Sequence, residues 1–502
     1  MSVLAIDAGT TGVTALIIAP DGTVAARGYQ EFRQYFPEPG WVEHLPEEIW
    51  QAALAACREA IGAAGDAART LTCIGITNQR ETAVIWDRAT LTAPRRAIVW
   101  QDRRTAGLCA ELREAGHEPL VSAVTGLRLD PYFTGTKLTW LARHEPAVWA
   151  GVTDGSLAVG TVDSYLIARL TGGRRHVTDA SNASRTLLFD LEAGQWSAQM
   201  CDLLSVPPHA LPEIVPSTGV AGHTDPGAFL GLALPVAGIA GDQQAALFGQ
   251  ACYAPGAAKC TYGTGSFVLA NTGPAIVRSQ AGLLSTVAWM DGDGALTYAL
   301  EGSVFVTGAA IQWLRDGLGL LDHAGQSEQL ARSVSDAGGV VFVPALTGLG
   351  APDWDPHARG AIFGLTRGTT RAHLVRATLD AIAFEVRDVV EVMTAEAGPV
   401  GVGAASQDAM RVDGGASAND LLMQLQADQL QAPVERPAVA ETTALGAAFL
   451  AGLATGTWSS PAELAAAWRL DRRFSPGPRD ETGYRRWRSA VARTTGWAAD
   501  TS

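Results

Sequence analysis

The stretch GIAGDQQAALFG, residues 238–249, sets a carboxylate and two amides, Asp242, Gln243 and Gln244, between a glycine-flanked apolar run and an alanine-rich one. A carboxylate left unpaired in such surroundings is costly. Its presence calls for a task, and taking a proton from a bound hydroxyl is one. Two further stretches offer phosphate chemistry. DAGTTG (Asp7 to Gly12) ends an apolar run in a carboxylate and follows it with a tight turn carrying Thr10 and Thr11. Backbone N–H groups and hydroxyls in such a nest suit phosphate oxygens, and the adjacent Asp7 suits Mg2+, directly or through water. The same spacing also fits a plain hairpin whose turn starts at an aspartate. YGTGS (Tyr262 to Ser266), with Thr264 at its centre, is a second turn of the same kind. Paired, the two turns can hold a polyphosphate from both sides of a cleft.

Three other stretches fit small-molecule recognition and plain packing alike. VDGGASAND (Val412 to Asp420) has Gly414 and Gly415 where another group can approach the backbone. It suits an adenine or ribose, or simply a tight strand-to-helix turn, with a helix starting near Asn419. TNQRET (Thr77 to Thr82) puts Arg80 beside Glu81 at the end of an apolar run. The pair is either a surface ion pair of little worth or a grip on a polyol, the arginine donating to hydroxyl oxygens and the glutamate accepting from them. Trp100 in VWQDRR and Tyr132 in DPYFTGTK add aromatic rings with polar neighbours.

The elements that must position these residues alternate in type. VLAIDAGTTGVTALIIAPDGTVAARGYQEF reads as three strands split by DAGTTG and PDG turns. LPEEIWQAALAACREAIGAAG carries Ile49, Trp50, Ala53, Leu54, Cys57 and Ile61 at helical spacing, with Pro46 suited to a first turn. LTCIGITNQ and LPVAGIAG read as buried strands, AIVWQDRRT as another strand running into charge, and AALFGQAC as a buried helix. From Gly256, GAAKCTYGTGSFVLANTG repeats the strand, Gly-Thr turn, strand order. Strand pairs around DGDG follow, and then a helix in TGAAIQWLRDGLGLL. The order predicts an α/β protein of two related halves. The boundary falls near GQACYAPGAAK, where Pro255 and Gly256 punctuate the chain. Asp242 lies just before it, and clefts between domains are where ligands bind.

The chain has 502 residues, too many for one core, with 47% hydrophobic and 18% charged residues. A formal net charge of −14 excludes a sequence-independent nucleic-acid binder and an anionic membrane surface as partner. Six cysteines without CxxC pairing predict buried free thiols. The N-terminal apolar run is broken at Asp7 with no basic residue before it, which does not fit a signal peptide. No run reaches the roughly 18 apolar residues of a membrane span. The expectation is a cytoplasmic protein without stable membrane insertion.

These residues carry a likeness. YFTGTKLTWLARH (132–144) and GAIFGLTRGTTRAHLVRATLD (360–380) resemble the two signatures of the FGGY family of carbohydrate kinases. PGWVEHLPEEIW, ITNQRET, VTDASNASRTLLFD, AGDQQAALFGQ, ALEGSVFVTGAAIQWLRD, LTGLGAPDWDP and RVDGGASAN are similar to its glycerol-phosphorylating members. The resemblance runs from about residue 3 to about residue 490. It implies two actin-like (ribonuclease H-like) ATPase domains, residues 1–250 binding the polyol and residues 251–502 the nucleotide, that close over ATP, Mg2+ and a polyol. The implied reaction is ATP-dependent phosphorylation of glycerol to sn-glycerol 3-phosphate in glycerol catabolism. The implied polyol contacts are Arg80, Glu81, Trp100, Tyr132, Asp242, Gln243 and Phe267, with Asp242 as general base. The implied ATP contacts are Thr10, Thr11, Thr264, Gly308, Gln312, Gly415 and Asn419, with Asp7 near the metal. Family habit implies a homodimer or homotetramer.

Two departures bear on these expectations. Ala8 stands where glycerol-phosphorylating members usually carry Gln, and Thr14 where they carry a basic residue beside the phosphates. AGHTDPGAFLGLALP (221–235) has no Lys or Arg, whereas some bacterial members bind a sugar bisphosphate there, so no such inhibition is expected. Two other readings remain open: a kinase for another small polyol or sugar such as erythritol, dihydroxyacetone or a pentulose, and a weakened paralogue that binds ligand as a regulator.

Overall fold

The computed structural model describes residues 1–398 and 409–498. Two mixed sheets form its centre. The first is built from β1 (Ser2–Ala8), β2 (Gly12–Ile18), β3 (Val24–Glu31), β4 (Leu71–Asn78), β5 (Thr218–His223) and β6 (Pro235–Gly241), in the order β5-β6-β4-β1-β2-β3. The second contains β7 (Ala258–Tyr262), β8 (Ser266–Gly273), β9 (Leu284–Met290), β10 (Leu296–Val304), β11 (Met410–Asp413), β12 (Val434–Pro437) and β13 (Leu470–Phe474), in the order β9-β10-β8-β7-β11-β12-β13. The two sheets share a plan. In each, a first strand runs antiparallel to the next strand in the chain and parallel to one reached by a long crossover (β1 with β2 and β4, β7 with β8 and β11). A second parallel strand follows in both (β6 and β12). The repeat expected from the two Gly-Thr turns is therefore a repeat of whole sheets.

Helices cover the faces: α1 (Pro46–Ala63), α2 (Thr134–His144), α3 (Asp242–Gly249), α4 (Arg371–Ala397), α5 (Asp420–Leu430) and α6 (Thr442–Thr455). α1 starts at Pro46, whose fixed φ and missing N–H suit a first turn. It buries Ile49, Trp50, Ala53 and Cys57 on the first sheet, while Leu54 and Ile61 are only partly covered. α6 is apolar around most of its surface, because it is packed between the first sheet and α3. It lies across β4 and β6 of the first sheet and crosses α3 backbone to backbone. A Cβ on Gly249 would stand 2.1 Å from the Thr442 carbonyl oxygen, and one on Gly446 1.8 Å from that of Ala245. Any side chain at these two positions would force the crossing helices apart.

Two elements differ from expectation. The strand read in AIVWQDRRT is only Ala97–Ile98, because the chain turns after it and buries Asp102, which accepts the Val42 N–H at 2.6 Å and pairs with Arg104. The helix read in TGAAIQWLRDGLGLL is Gly308–Gln312, widening to a π-turn over Trp313–Gly317. All six cysteines are buried, as expected. No helix among the described residues is long and apolar enough to cross a membrane.

Candidate active site

A cavity of about 750 Å3 opens between the halves, lined by Trp100 and Tyr132 from the first and Thr264, Phe267 and Phe305 from the second. Asp242 is the first residue of α3, where β6 delivers the chain to the helix crossing. The corresponding helix of the second half, α6, starts with Thr442. The two related positions thus hold a carboxylate in one half and a hydroxyl in the other. Asp242 is not wholly buried, as its surroundings in the sequence had implied: its side chain keeps 30% of its surface open. One oxygen lies 3.1 Å from Arg80 Nε and also accepts the Gln243 backbone N–H at 2.7 Å. Burial, opposed by the Arg80 and Lys259 charges, leaves its pKa above the ordinary aspartate value. Such a carboxylate is better matched to accepting a proton near neutral pH than a free one.

Arg80 and Glu81 do not form a surface pair; both are buried. Arg80 is held from four sides. Its Nη1 donates to Glu301 Oε2 at 2.6 Å and to Gln244 Oε1 at 3.2 Å, its Nη2 to the Tyr132 hydroxyl at 3.2 Å, and its Nε faces Asp242. Glu81 accepts from Arg185 Nε at 2.8 Å, and Arg185 Nη2 reaches Glu301 Oε1 at 2.9 Å. Two arginines and three carboxylates therefore form one network, and Glu301 joins it from the second half. Burial pushes the Glu301 carboxyl up, but the two guanidiniums outweigh it and hold its pKa at about 2. Arg185 and Glu301 were not among the residues picked out from sequence. Each sits in an ordinary-looking segment, and their partners lie far off in the chain. Lys259 was missed as well. It is buried on β7 and donates to Gln243 Oε1 and to Thr261 Oγ1.

Three rings wall the cavity next to this network. Trp100 meets Tyr132 edge-on at 5.7 Å and Phe267 at 6.4 Å between ring centroids. The Trp100 indole N–H donates to Thr10 Oγ1 at 3.0 Å, tying this wall to the first Gly-Thr turn. Thr11 and Thr264, in the two turns, are exposed. Gly308 packs on the second turn, its N–H donating to the Gly263 carbonyl at 3.0 Å. Gly414, at φ 85°, lies so close to Tyr262 that a Cβ would sit 2.5 Å from its carbonyl oxygen. The neighbouring Gly415 has nothing within 4 Å of a notional Cβ and offers a bare backbone face. Gln312 is exposed at the end of its helix. Asn419 caps α5, accepting the Leu422 N–H at 2.9 Å. The second turn, Gly308 and Gly415 thus gather around the end of β7. Asn419 joins them through the short turn Gly415–Ala418.

Asp7 is the second-last residue of β1, with Thr14 opposite it on β2 and Thr77 beside it on β4. Register neighbours point to one face of a sheet. Burial, and next the charge of Asp242, push the Asp7 pKa up to about 7. The buried Thr77 hydroxyl has no hydrogen-bond partner. No group of three or more His, Cys, Asp or Glu side chains that could hold a metal occurs among the described residues. A carboxyl whose folded pKa lies above its unfolded value contributes stability below 3.8 and loses it as the pH rises to about 7. Asp7→Asn is therefore expected to stabilise the ligand-free protein at pH 8 by on the order of 2 kcal/mol, after allowance for partial exposure. The gain shrinks towards pH 5. Urea unfolding of both proteins at the two pH values checks this; equal stability at pH 8 would remove the strain argued here.

The chain matches the FGGY family of carbohydrate kinases, N-terminal domain, over residues 2–249 and the C-terminal domain of the same family over residues 258–455. It is 55% identical over 492 residues to a glycerol kinase of Methylobacterium nodulans, with 97% of each chain covered. Among solved structures, it is similar to a glycerol kinase of Plasmodium falciparum with ADP. The TM-score is 0.89 at 34% identity, covering 98% of both chains. It is also similar to a xylulose kinase from Rhodospirillum rubrum, with a TM-score of 0.84 at 29% identity, covering 98% of this chain and 99% of that one. Both domain models of the family match in sequence order, a relative 55% identical covers nearly the whole chain, and the chain belongs to the FGGY family of carbohydrate kinases.

Proposed function

We propose that this chain transfers the γ-phosphoryl group of ATP to a terminal hydroxyl of glycerol, giving sn-glycerol 3-phosphate. The observation that carries the reading is the half-open Asp242 carboxylate, pinned by Arg80 beside a pocket walled by Trp100, Tyr132 and Phe267. The rings cover the carbon chain of the polyol, while Arg80, Glu81, Asp242 and Gln243 meet its hydroxyls. Because the Arg80 and Glu81 heads are locked into the Glu301–Arg185 network, they are pre-oriented, and little ordering is left to accompany binding. Asp242 accepts the proton of the hydroxyl as it attacks phosphorus. Phosphoryl transfer asks the protein mainly for alignment and charge stabilisation. Thr10, Thr11 and Thr264 offer hydroxyls and N–H groups to the phosphates. Gly308, Gln312, Gly415 and Asn419 receive the nucleoside. The Trp100 N–H fills a lone pair of the Thr10 hydroxyl and leaves its proton free to donate.

Asp7 fits a place beside Mg2+. This cation keeps most of its waters and takes one or two carboxylates plus substrate phosphates rather than a cage of side chains. A carboxyl raised by burial and next by a second carboxylate, beside an unpartnered buried hydroxyl at Thr77, is the surrounding that a hydrated divalent cation relieves. When bound, the ion would neutralise charge on the phosphates.

The experiment is ADP release with ATP and Mg2+ across a panel of glycerol, erythritol, dihydroxyacetone and pentuloses. Turnover strongest on glycerol supports the proposal. Silence on glycerol with turnover on a longer substrate moves the assignment to a sister kinase. Nucleotide binding without turnover on any of them leaves a regulatory paralogue. Thr14 bears on the rate. It faces Asp7 across the β1–β2 pair, so an arginine there would sit beside the phosphate turn. Thr14→Arg is expected to lower the KM for ATP or to raise kcat by roughly tenfold, the worth of one charge-assisted hydrogen bond. Steady-state kinetics with ATP varied would show it, and no change in either constant would count against this place for the phosphates.

A further inference from the structure

Lys137 is fully buried on α2, yet its two hydrogen bonds go to carbonyls, not to a carboxylate: Glu81 O at 3.3 Å and Tyr132 O. Burying an ammonium on such terms is expensive. Burial pushes its pKa down to about 7, against the pull of Glu81, Asp102 and Asp130. The residue it holds is itself unusual. Glu81 has φ 61°, in the left-handed region that residues with a Cβ avoid. Such backbone persists only where the surroundings over-determine it. Here they do. The Glu81 carbonyl accepts from Lys137 and from Thr134 Oγ1 at 3.1 Å, and its carboxylate accepts from Arg185 at 2.8 Å. Thr134 and Lys137 stand three residues apart on one face of α2. The Gly135 N–H of the same helix donates to the Thr186 carbonyl at 2.7 Å, next to Arg185. A closed circuit thus runs from the Glu81 carbonyl through α2 to Arg185 and back to the Glu81 carboxylate.

The geometry points to Lys137 as a positioning residue of the polyol pocket. With the Thr134 hydroxyl, it clamps the left-handed backbone of Glu81 and the carbonyl of Tyr132. The clamp fixes where the Glu81 carboxylate and the Tyr132 ring meet the substrate. This rests on the reading that Glu81 and Tyr132 hold the polyol, and it concerns residues that touch neither substrate.

The test compares Lys137→Met and Thr134→Val with Glu81→Gln as control, measuring kcat and the KM for glycerol and for ATP separately. Lys137→Met is expected to raise the KM for glycerol about tenfold or more, and Thr134→Val about threefold, with the KM for ATP moving less than about twofold. A general loosening of the fold would not separate the two KM values. If Glu81→Gln raises the KM for glycerol while both clamp variants leave it unchanged, the clamp is overturned and the pocket reading stands. If Glu81→Gln leaves that KM unchanged, the pocket reading falls and the clamp with it. A parallel rise of both KM values in the clamp variants also overturns the proposal. Should Lys137→Met fail to fold, Thr134→Val decides alone: a rise confined to the KM for glycerol supports the clamp, and an unchanged value refutes it.

Discussion

Asp242→Asn is expected to lower kcat on glycerol by about a thousandfold, within the range that positioned general bases contribute, while KM values change only severalfold. The amide is close to isosteric, and its oxygen can still accept from Arg80 Nε, which now lies 3.1 Å from the carboxylate. The pocket should therefore keep its shape and lose only the group that takes the proton. The wild-type pH profile gives the same argument a second reading. Burial leaves the Asp242 pKa above the usual aspartate value despite the Arg80 and Lys259 charges. The acid limb of kcat against pH should then lie above the ordinary aspartate range and be missing in the variant. The Asp242 charge in turn helps to raise Asp7, after burial, so the variant should also bring the Asp7 carboxyl closer to its ordinary value. Retention of a tenth or more of wild-type kcat would place the base elsewhere. Loss of activity with a collapsed far-ultraviolet spectrum would point to folding instead.

How much of this site can be read without coordinates depends on how far apart its parts lie in the chain. Asp7, Arg80, Glu81 and Asp242 are legible because each ends an apolar strand. A charge at that point of an α/β sheet sits at the mouth of the molecule. The Gly-Thr turns are legible for the same reason, and their repetition foretold two sheets of one plan. Glu301 and Arg185 are not legible. Glu301 lies 221 residues from Arg80 and 116 from Arg185, in a strand whose alternation suits either face. Lys259 hides in a similar way. A lysine two residues from a threonine in AKCTY reads as a solvated face, yet the strand lies at the centre of a sheet and both faces are covered. Nor does anything local reveal that Glu81 takes a left-handed backbone. That conformation is imposed by α2, whose own pattern gives no reason for a buried Lys137. The general lesson is physical: strand ends announce themselves locally, whereas the partners that neutralise buried charge are chosen by the tertiary fold.

Glu301 carries the second large expectation. Glu301→Gln is expected to destabilise the protein by about 3–5 kcal/mol, the usual cost of leaving a buried charge without its partner. Its carboxylate is fully buried and ion-paired to Arg80 and Arg185 at once, at 2.6 and 2.9 Å. The glutamine keeps the volume but can supply only one acceptor oxygen where the carboxylate supplied two. Two guanidiniums would then share Glu81 and Asp242. Arg80 should be drawn towards Asp242, lowering the pKa of that carboxylate and with it the basicity that the reaction uses. The variant should thus lose kcat as well as stability, although Glu301 lies behind the residues assigned to the polyol. The pH dependence has a definite sign. A carboxyl held at about 2, against 4.5 unfolded, lends stability that is complete above 4.5 and disappears as the pH falls to about 2. Wild type and variant should therefore differ most near neutral pH and converge in acid. Glu301 stands on a strand of the second sheet while both arginines belong to the first half, so urea unfolding of wild type and variant reads the worth of this tie between the halves. A shift worth less than about 1 kcal/mol there would mean that Asp242 and Glu81 suffice for both arginines. The network would then be a device for orienting Arg80 and not a bolt between the halves.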